Sequence, residues 1–142
     1  MGAWGCGIFE DDTSCDALDE LQDCENIAEA AETFINGLLD AADDYIEYDT
    51  AQYGLTAAAV VYYLSDGNDE KFSGEYIPDG ITNLREKFEG IDLTYLCGKC
   101  AAAVRAVTED NSELKELWEE NEELYEQWRN NLLELASQLE QI

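Results

Sequence analysis

The residues of this sequence best placed for chemistry are one cysteine pair and one stripe of carboxylates. Cys97-Gly98-Lys99-Cys100 is a CxxC, the spacing of half a zinc site or of a redox dithiol. A structural zinc site needs four ligands, commonly two such pairs, and the chain has no second pair and no histidine. A redox dithiol needs its first cysteine at a helix N-terminus, where the thiolate is stabilised. Leu93 to Val107 reads as one continuous helix, which puts both cysteines in mid-helix among Leu96, Ala101 and Val104. Core packing is therefore the expectation, with thiol-redox chemistry as an alternative kept alive by Lys99, which could lower a thiol pKa.

The carboxylates are more patterned. Asp12, Asp16, Asp19 and Asp23 recur at spacings of four, three and four, on one side of a predicted helix whose other side carries Ala17, Leu18, Leu21 and Cys24. Successive acids on such a stripe lie about 5–6 Å apart, where like charges weaken the helix. A row of this kind resembles in charge and coarse spacing the phosphates that a nucleic-acid-binding protein expects. These four residues are the predicted partner-binding site.

Other motifs fail in detail. Asp66-Gly67-Asn68-Asp69-Glu70 offers oxygen ligands, but a calcium loop counted from Asp66 would need a glutamate at its twelfth place, which is Ile77. A capped turn is expected there. Gly2, Gly5 and Gly7 could form a phosphate loop, yet there is no lysine and the segment ends in Glu10, Asp11 and Asp12. An irregular Gly/Trp segment anchored by Trp4 and Phe9 is expected instead. The absence of histidine removes imidazole acid–base catalysis and Ser-His or Cys-His dyads. No catalytic, cofactor or metal site is expected, and the chain reads as a non-enzyme.

The charge balance narrows the partners. Seven Lys plus Arg against 34 Asp plus Glu give a net charge of −27, which opposes direct binding of nucleic acid or anionic lipid and favours a basic protein. Residues 1–70 hold 18 of the acids and no base; the first base is Lys71. The longest apolar run, Leu55 to Leu64, is about ten residues where a bilayer needs roughly twenty. Met1-Gly2-Ala3-Trp4 has neither the basic nor the apolar region of a signal peptide, and five cysteines are an odd number; a reducing cytoplasm is the expected location.

The elements that must position these residues are helices. A chain of 142 residues, 46% apolar, suits one domain, 1–142, with a single core. N-cap signals open helices at Thr13 (to about Cys24), Asn26 (to about Ala42), Asp49 (to about Leu64), Ile81 (to Phe88, stopped at Gly90), Asp92 (to about Val107) and Asp110 (almost to Ile142). Residues 65–80, with the single proline Pro78, form the longest loop, and a short extended piece is expected around Phe72 to Ile77. The fold is thus mainly α, a bundle of about five to six helices. In the last one Leu114, Trp118, Asn121, Tyr125, Trp128, Leu132, Leu135, Leu139 and Ile142 make a heptad seam with Asn121 as its polar member. The seam either closes a monomeric bundle or pairs two copies through Leu114, Trp118, Tyr125, Trp128 and Leu132.

Met1-Gly-Ala-Trp-Gly-Cys-Gly-Ile-Phe-Glu-Asp-Asp-Thr-Ser-Cys-Asp16 resembles the opening of a bacterial family catalogued as domain of unknown function 4259, M-G-[AT]-W-G-x-G-x-F followed by an acidic or Asn stretch. Asn111-Ser-Glu-Leu-Lys-Glu-Leu-Trp118, with Trp128 in the closing helix, resembles its second landmark. Asp11 stands where Asn is common, Ser14 where Ala is common and Ala17 where a large aromatic is frequent. The resemblance implies a helical fold and no activity. Charge and pattern together lead to an expected role as a binding or inhibitor protein, immunity- or antitoxin-like or a nucleic-acid mimic, whose basic partner is a nuclease or DNA-binding protein. A structural or regulatory oligomer built on the heptad seam is the alternative.

Overall fold

The computed structural model describes residues 11–66 and 80–142. Within them the chain forms α1 (Asp12–Asp23), α2 (Ile27–Ala41), α3 (Tyr48–Asp66), α4 (Gly80–Lys87), a 3₁₀ turn (Thr94–Leu96), α5 (Cys97–Val107), α6 (Glu113–Glu119) and α7 (Tyr125–Glu140). The mainly α expectation holds. Trp4, Phe9, the Asp66–Glu70 turn, Lys71, Phe72 to Ile77 and Pro78 lie outside the described residues or, for Asp66, outside the described side chains.

Helix α3 is the axis of the bundle and touches every other described helix. Its sequence explains this position, because Leu55 and Ala57 to Tyr63 are all buried, leaving no polar face to turn toward water. The surrounding helices each contribute one stripe: Ile27, Ala31, Ile35 and Leu38 from α2, Cys97, Cys100, Ala101, Val104 and Val107 from α5, and Trp128, Leu132, Leu135 and Leu139 from α7. These side chains join one contiguous apolar cluster. Each fully buried Leu or Ile in it contributes about 1.5–3 kcal/mol relative to exposure. Helices α2 and α3 approach closely at Gly54, where a Cβ would stand 2.3 Å from Leu38 Cδ1.

Several boundaries differ from those read in the sequence. The N-cap of α1 is Asp11 rather than Thr13: its Oδ1 accepts the amides of Thr13 at 2.8 Å and Ser14 at 3.1 Å. The start of α3 is held from a distance, the Tyr48 amide donating 2.8 Å to Glu113 Oε1. This joins a short parallel bridge in which Ile46 N donates to Asn111 O at 2.9 Å and Glu113 N to Ile46 O at 3.0 Å. Third, the single closing helix is two helices, with Ser112 rather than Asp110 as the first cap and a break over residues 120–124. Glu119, Glu120, Glu122 and Glu123 surround Asn121, so a continuous helix would stack like charges three and four residues apart. Asn121 instead caps the break, its Oδ1 accepting the Leu124 amide at 3.2 Å and its carbonyl the Tyr125 amide at 2.9 Å.

The break redirects the heptad seam. In one straight helix Trp118 and Trp128 would be separated by about 15 Å along the axis; here their rings stack with centroids 6.1 Å apart. Leu114, Trp118, Trp128 and Leu132 are buried within the chain's own core and Tyr125 is half-buried against it.

Candidate acidic interface

The α1 stripe faces solvent. Asp12, Asp16, Asp19 and Asp23 are all exposed, while Ser14, Ala17, Leu18 and Leu21 on the opposite side are buried. The rise of 1.5 Å per residue spaces the carboxylates about 4.5–6 Å apart along the axis. Among the described residues Lys87, Lys99, Arg105 and Lys115 are engaged elsewhere. Lys99 pairs with Glu32 at 3.3 Å, Arg105 with Glu140, and Lys115 with Asp110 at 3.3 Å and Glu119 at 3.0 Å. Lys87 reaches α1, but its Nζ donates to the carbonyls of Gln22 at 2.5 Å and Cys24 at 2.9 Å, closing the helix end rather than neutralising the stripe.

The orientation of α1 is set by a polar seam against α3. The Tyr48 hydroxyl donates to Asp11 Oδ2, and Ser14 Oγ donates to Gln52 Oε1 at 3.1 Å. N-terminal residues pair with N-terminal residues, so the two helices run in the same general direction. Ser14 is fully buried and Asp11 is 2% exposed, an environment in which an unmet polar group is penalised. These bonds resist rotation of α1, which would swing the aspartates inward. Burial, then the bond to Asp11, pushes the Tyr48 hydroxyl well above the ordinary tyrosine range; the neighbouring Glu20 carboxylate and then burial push Tyr53 up to about 12.

Beside this seam a groove opens between α2 and α3, lined by Thr33, Phe34, Gly37, Asp49, Thr50 and Tyr53, with a volume of about 330 Å³. The rings of Phe34 and Tyr53 meet edge to face at 5.1 Å and 80°. Thr33 and Phe34 also line a second depression that continues to Glu25, Asn26 and Glu29 at the start of α2. The sequence reading missed this groove. Its one advance signal was Gly37, a glycine inside a strongly amphipathic helix.

The CxxC lies elsewhere. Cys97 is the first residue of α5, not a mid-helix residue, because Thr94–Leu96 forms a 3₁₀ turn that runs into the helix. Asp92 holds that turn, its Oδ1 accepting the Thr94 amide at 2.9 Å and hydroxyl at 2.6 Å, bonds that lower its own pKa. Both cysteines are buried and neither is in a disulfide. Burial pushes the Cys97 thiol up, against the bond to Ser65, and the Cys100 thiol up to about 12, with Lys99 a minor opposing influence. Among the described residues no group of three or more Asp, Glu or Cys side chains is arranged to hold a metal ion, and no helix is long and apolar enough to cross a membrane.

No curated protein and no solved structure matches the chain. A family model does, and it spans both sequence landmarks, the glycine-rich opening and the Ser112–Trp118 segment. Its match to residues 2–131 shows that the chain belongs to the family described as Domain of unknown function (DUF4259).

Proposed function

We propose that this chain is a non-enzymatic binding protein that captures a basic protein, with the solvent face of α1 as its principal contact. The observation that carries the reading is the exposure of Asp12, Asp16, Asp19 and Asp23 on one stripe, with Lys87, Lys99, Arg105 and Lys115 engaged in contacts elsewhere. A row of like charge weakens its own helix and adds self-repulsion to the folded state. A cationic partner removes both penalties at once. Such a row attracts proteins that otherwise hold a phosphate backbone, so a nuclease or other DNA-binding protein is the partner class, and inhibition by occupying its basic groove is the mechanism. The reading places the protein in the reducing cytoplasm, consistent with Cys24, Cys97 and Cys100 outside disulfides.

The test is retention of purified basic DNA-binding proteins on immobilised wild type and on the Asp12/Asp16/Asp19/Asp23→Asn variant. Retention at low salt, release at high salt and loss in the variant are expected. Equal retention by the two proteins would remove α1 as the contact, and no retention at low salt would overturn the reading.

A further inference from the structure

Two helical glycines have opposite explanations. Gly54 is required by packing, since a Cβ would fall 2.3 Å from Leu38 Cδ1 and 2.9 Å from Leu38 Cβ. Gly37 is not: nothing lies within 4 Å of the position a Cβ would take, and its backbone lacks the positive φ that demands glycine. It sits in the interior of α2, where glycine weakens a helix relative to alanine. What the missing side chain does provide is open space, because Gly37 lines the groove floored by Phe34 and Tyr53.

We infer that this groove seats one arginine side chain of a basic protein partner, its guanidinium against the Phe34 and Tyr53 rings and paired with the Asp49 carboxylate. Aromatic rings attract cations, and a planar guanidinium stacks on them better than an ammonium does. Asp49 is exposed on the groove wall, and the Asp16 and Glu20 carboxylates bear on the Tyr53 hydroxyl, so negative charge lies both on the groove and beside it. At about 330 Å³ the groove is at the small end of ligand sites and has room for an arginine side chain. The inference rests on the proposed capture of a basic protein and names the point where that partner's side chain is read.

The experiment titrates the isotopically labelled full chain with nona-arginine and nona-lysine peptides, following amide shifts in wild type, Gly37→Leu and Phe34→Leu. Gly37→Leu keeps every charge, and its Cβ meets nothing within 4 Å. In wild type, shifts are expected at Gly37, Thr50 and Tyr53, with nona-arginine bound more tightly than nona-lysine. Gly37→Leu should weaken nona-arginine by about tenfold and erase the difference between the peptides, and Phe34→Leu should act in the same direction. If both variants bind nona-arginine as tightly as wild type, with shifts confined to α1, the groove is not the seat while capture through the acidic face stands. Absence of nona-arginine binding to wild type at low salt would overturn both.

Discussion

The Asp11 carboxylate joins two helices: one oxygen caps the first turn of α1 and the other accepts the hydroxyl of Tyr48 at the first turn of α3. A single side chain thereby orders the start of the acidic helix and its seat on the bundle.

Removing it should therefore exceed the effect of losing an ordinary cap. Asp11→Ala abolishes the cap and leaves the Tyr48 hydroxyl without its acceptor, an expected loss of about 2–4 kcal/mol. Tyr48→Phe leaves the cap intact and should lose only about 1 kcal/mol. Urea unfolding of both variants and the double variant checks this, and non-additivity is expected because the two side chains share one bond.

The contrast between the glycines gives a second pair. Gly54→Ala forces α2 and α3 apart at Leu38 and should destabilise by about 1–3 kcal/mol. Gly37→Ala meets nothing and should stabilise by roughly 0.5–1 kcal/mol. Thermal unfolding of the two variants should move in opposite directions; movement of both downward would contradict the open space at Gly37.

Alkaline pH should unfold the protein from within. The folded-state pKa values of Cys97, Cys100 and Tyr48 are all raised, chiefly by burial, above their ordinary values of 9.0 for the thiols and 10.0 for the phenol. Between the ordinary and raised values the unfolded chain has released protons that the folded chain retains. Stability is thus fully present below about pH 9 and falls as pH rises through the 9–12 range. Chemical denaturation at pH 7, 9, 10 and 11 should show a progressive loss, reduced by Cys100→Ala in its pH dependence even where that variant is less stable at pH 7.

The same burial makes Cys97 and Cys100 slow thiols. Titration with a thiol reagent at pH 8 should leave both unmodified in the native protein and modify both in urea. Rapid native reaction of either would revive dithiol chemistry at the N-terminus of α5.

Asn121 supplies the last expectation. As the cap of the α6–α7 break, Asn121→Ala should lose about 1 kcal/mol by urea unfolding.

What was legible in the sequence is what depends on near neighbours. Asn26 does cap α2 by accepting the Glu29 amide at 3.1 Å, and Gly90, with φ of 83°, does end the α4 turn. Cap signals and apolar periodicity found the helices, though they merge α6 with α7, and the Asp12 to Asp23 face points outward as its spacing required. Features set by distant residues were not legible. The first turn of α3 reads locally as a start at Asp49, but it is completed by Glu113, and Gln52 faces Ser14 of α1. The heptad seam was real as a pattern of buried residues and misleading as a single helix, because periodicity registers which residues are buried and not whether the chain has turned. The groove was hidden for the same reason: Phe34 and Tyr53 are unremarkable until α2 and α3 lie side by side.

The bond from Tyr48 to Glu113 spans 65 residues, and this has a consequence for how the chain is made. At about 5–20 residues per second, Glu113 is added roughly 3–13 s after Tyr48. For that interval the nascent central helix has its apolar faces and its acidic neighbour α1, but no acceptor for its first turn and no α7 to cover it. The newborn N-terminal half is therefore a like-charged segment waiting for its base-containing half, and its crowded carboxylates discourage premature association with other copies of itself until the lid arrives.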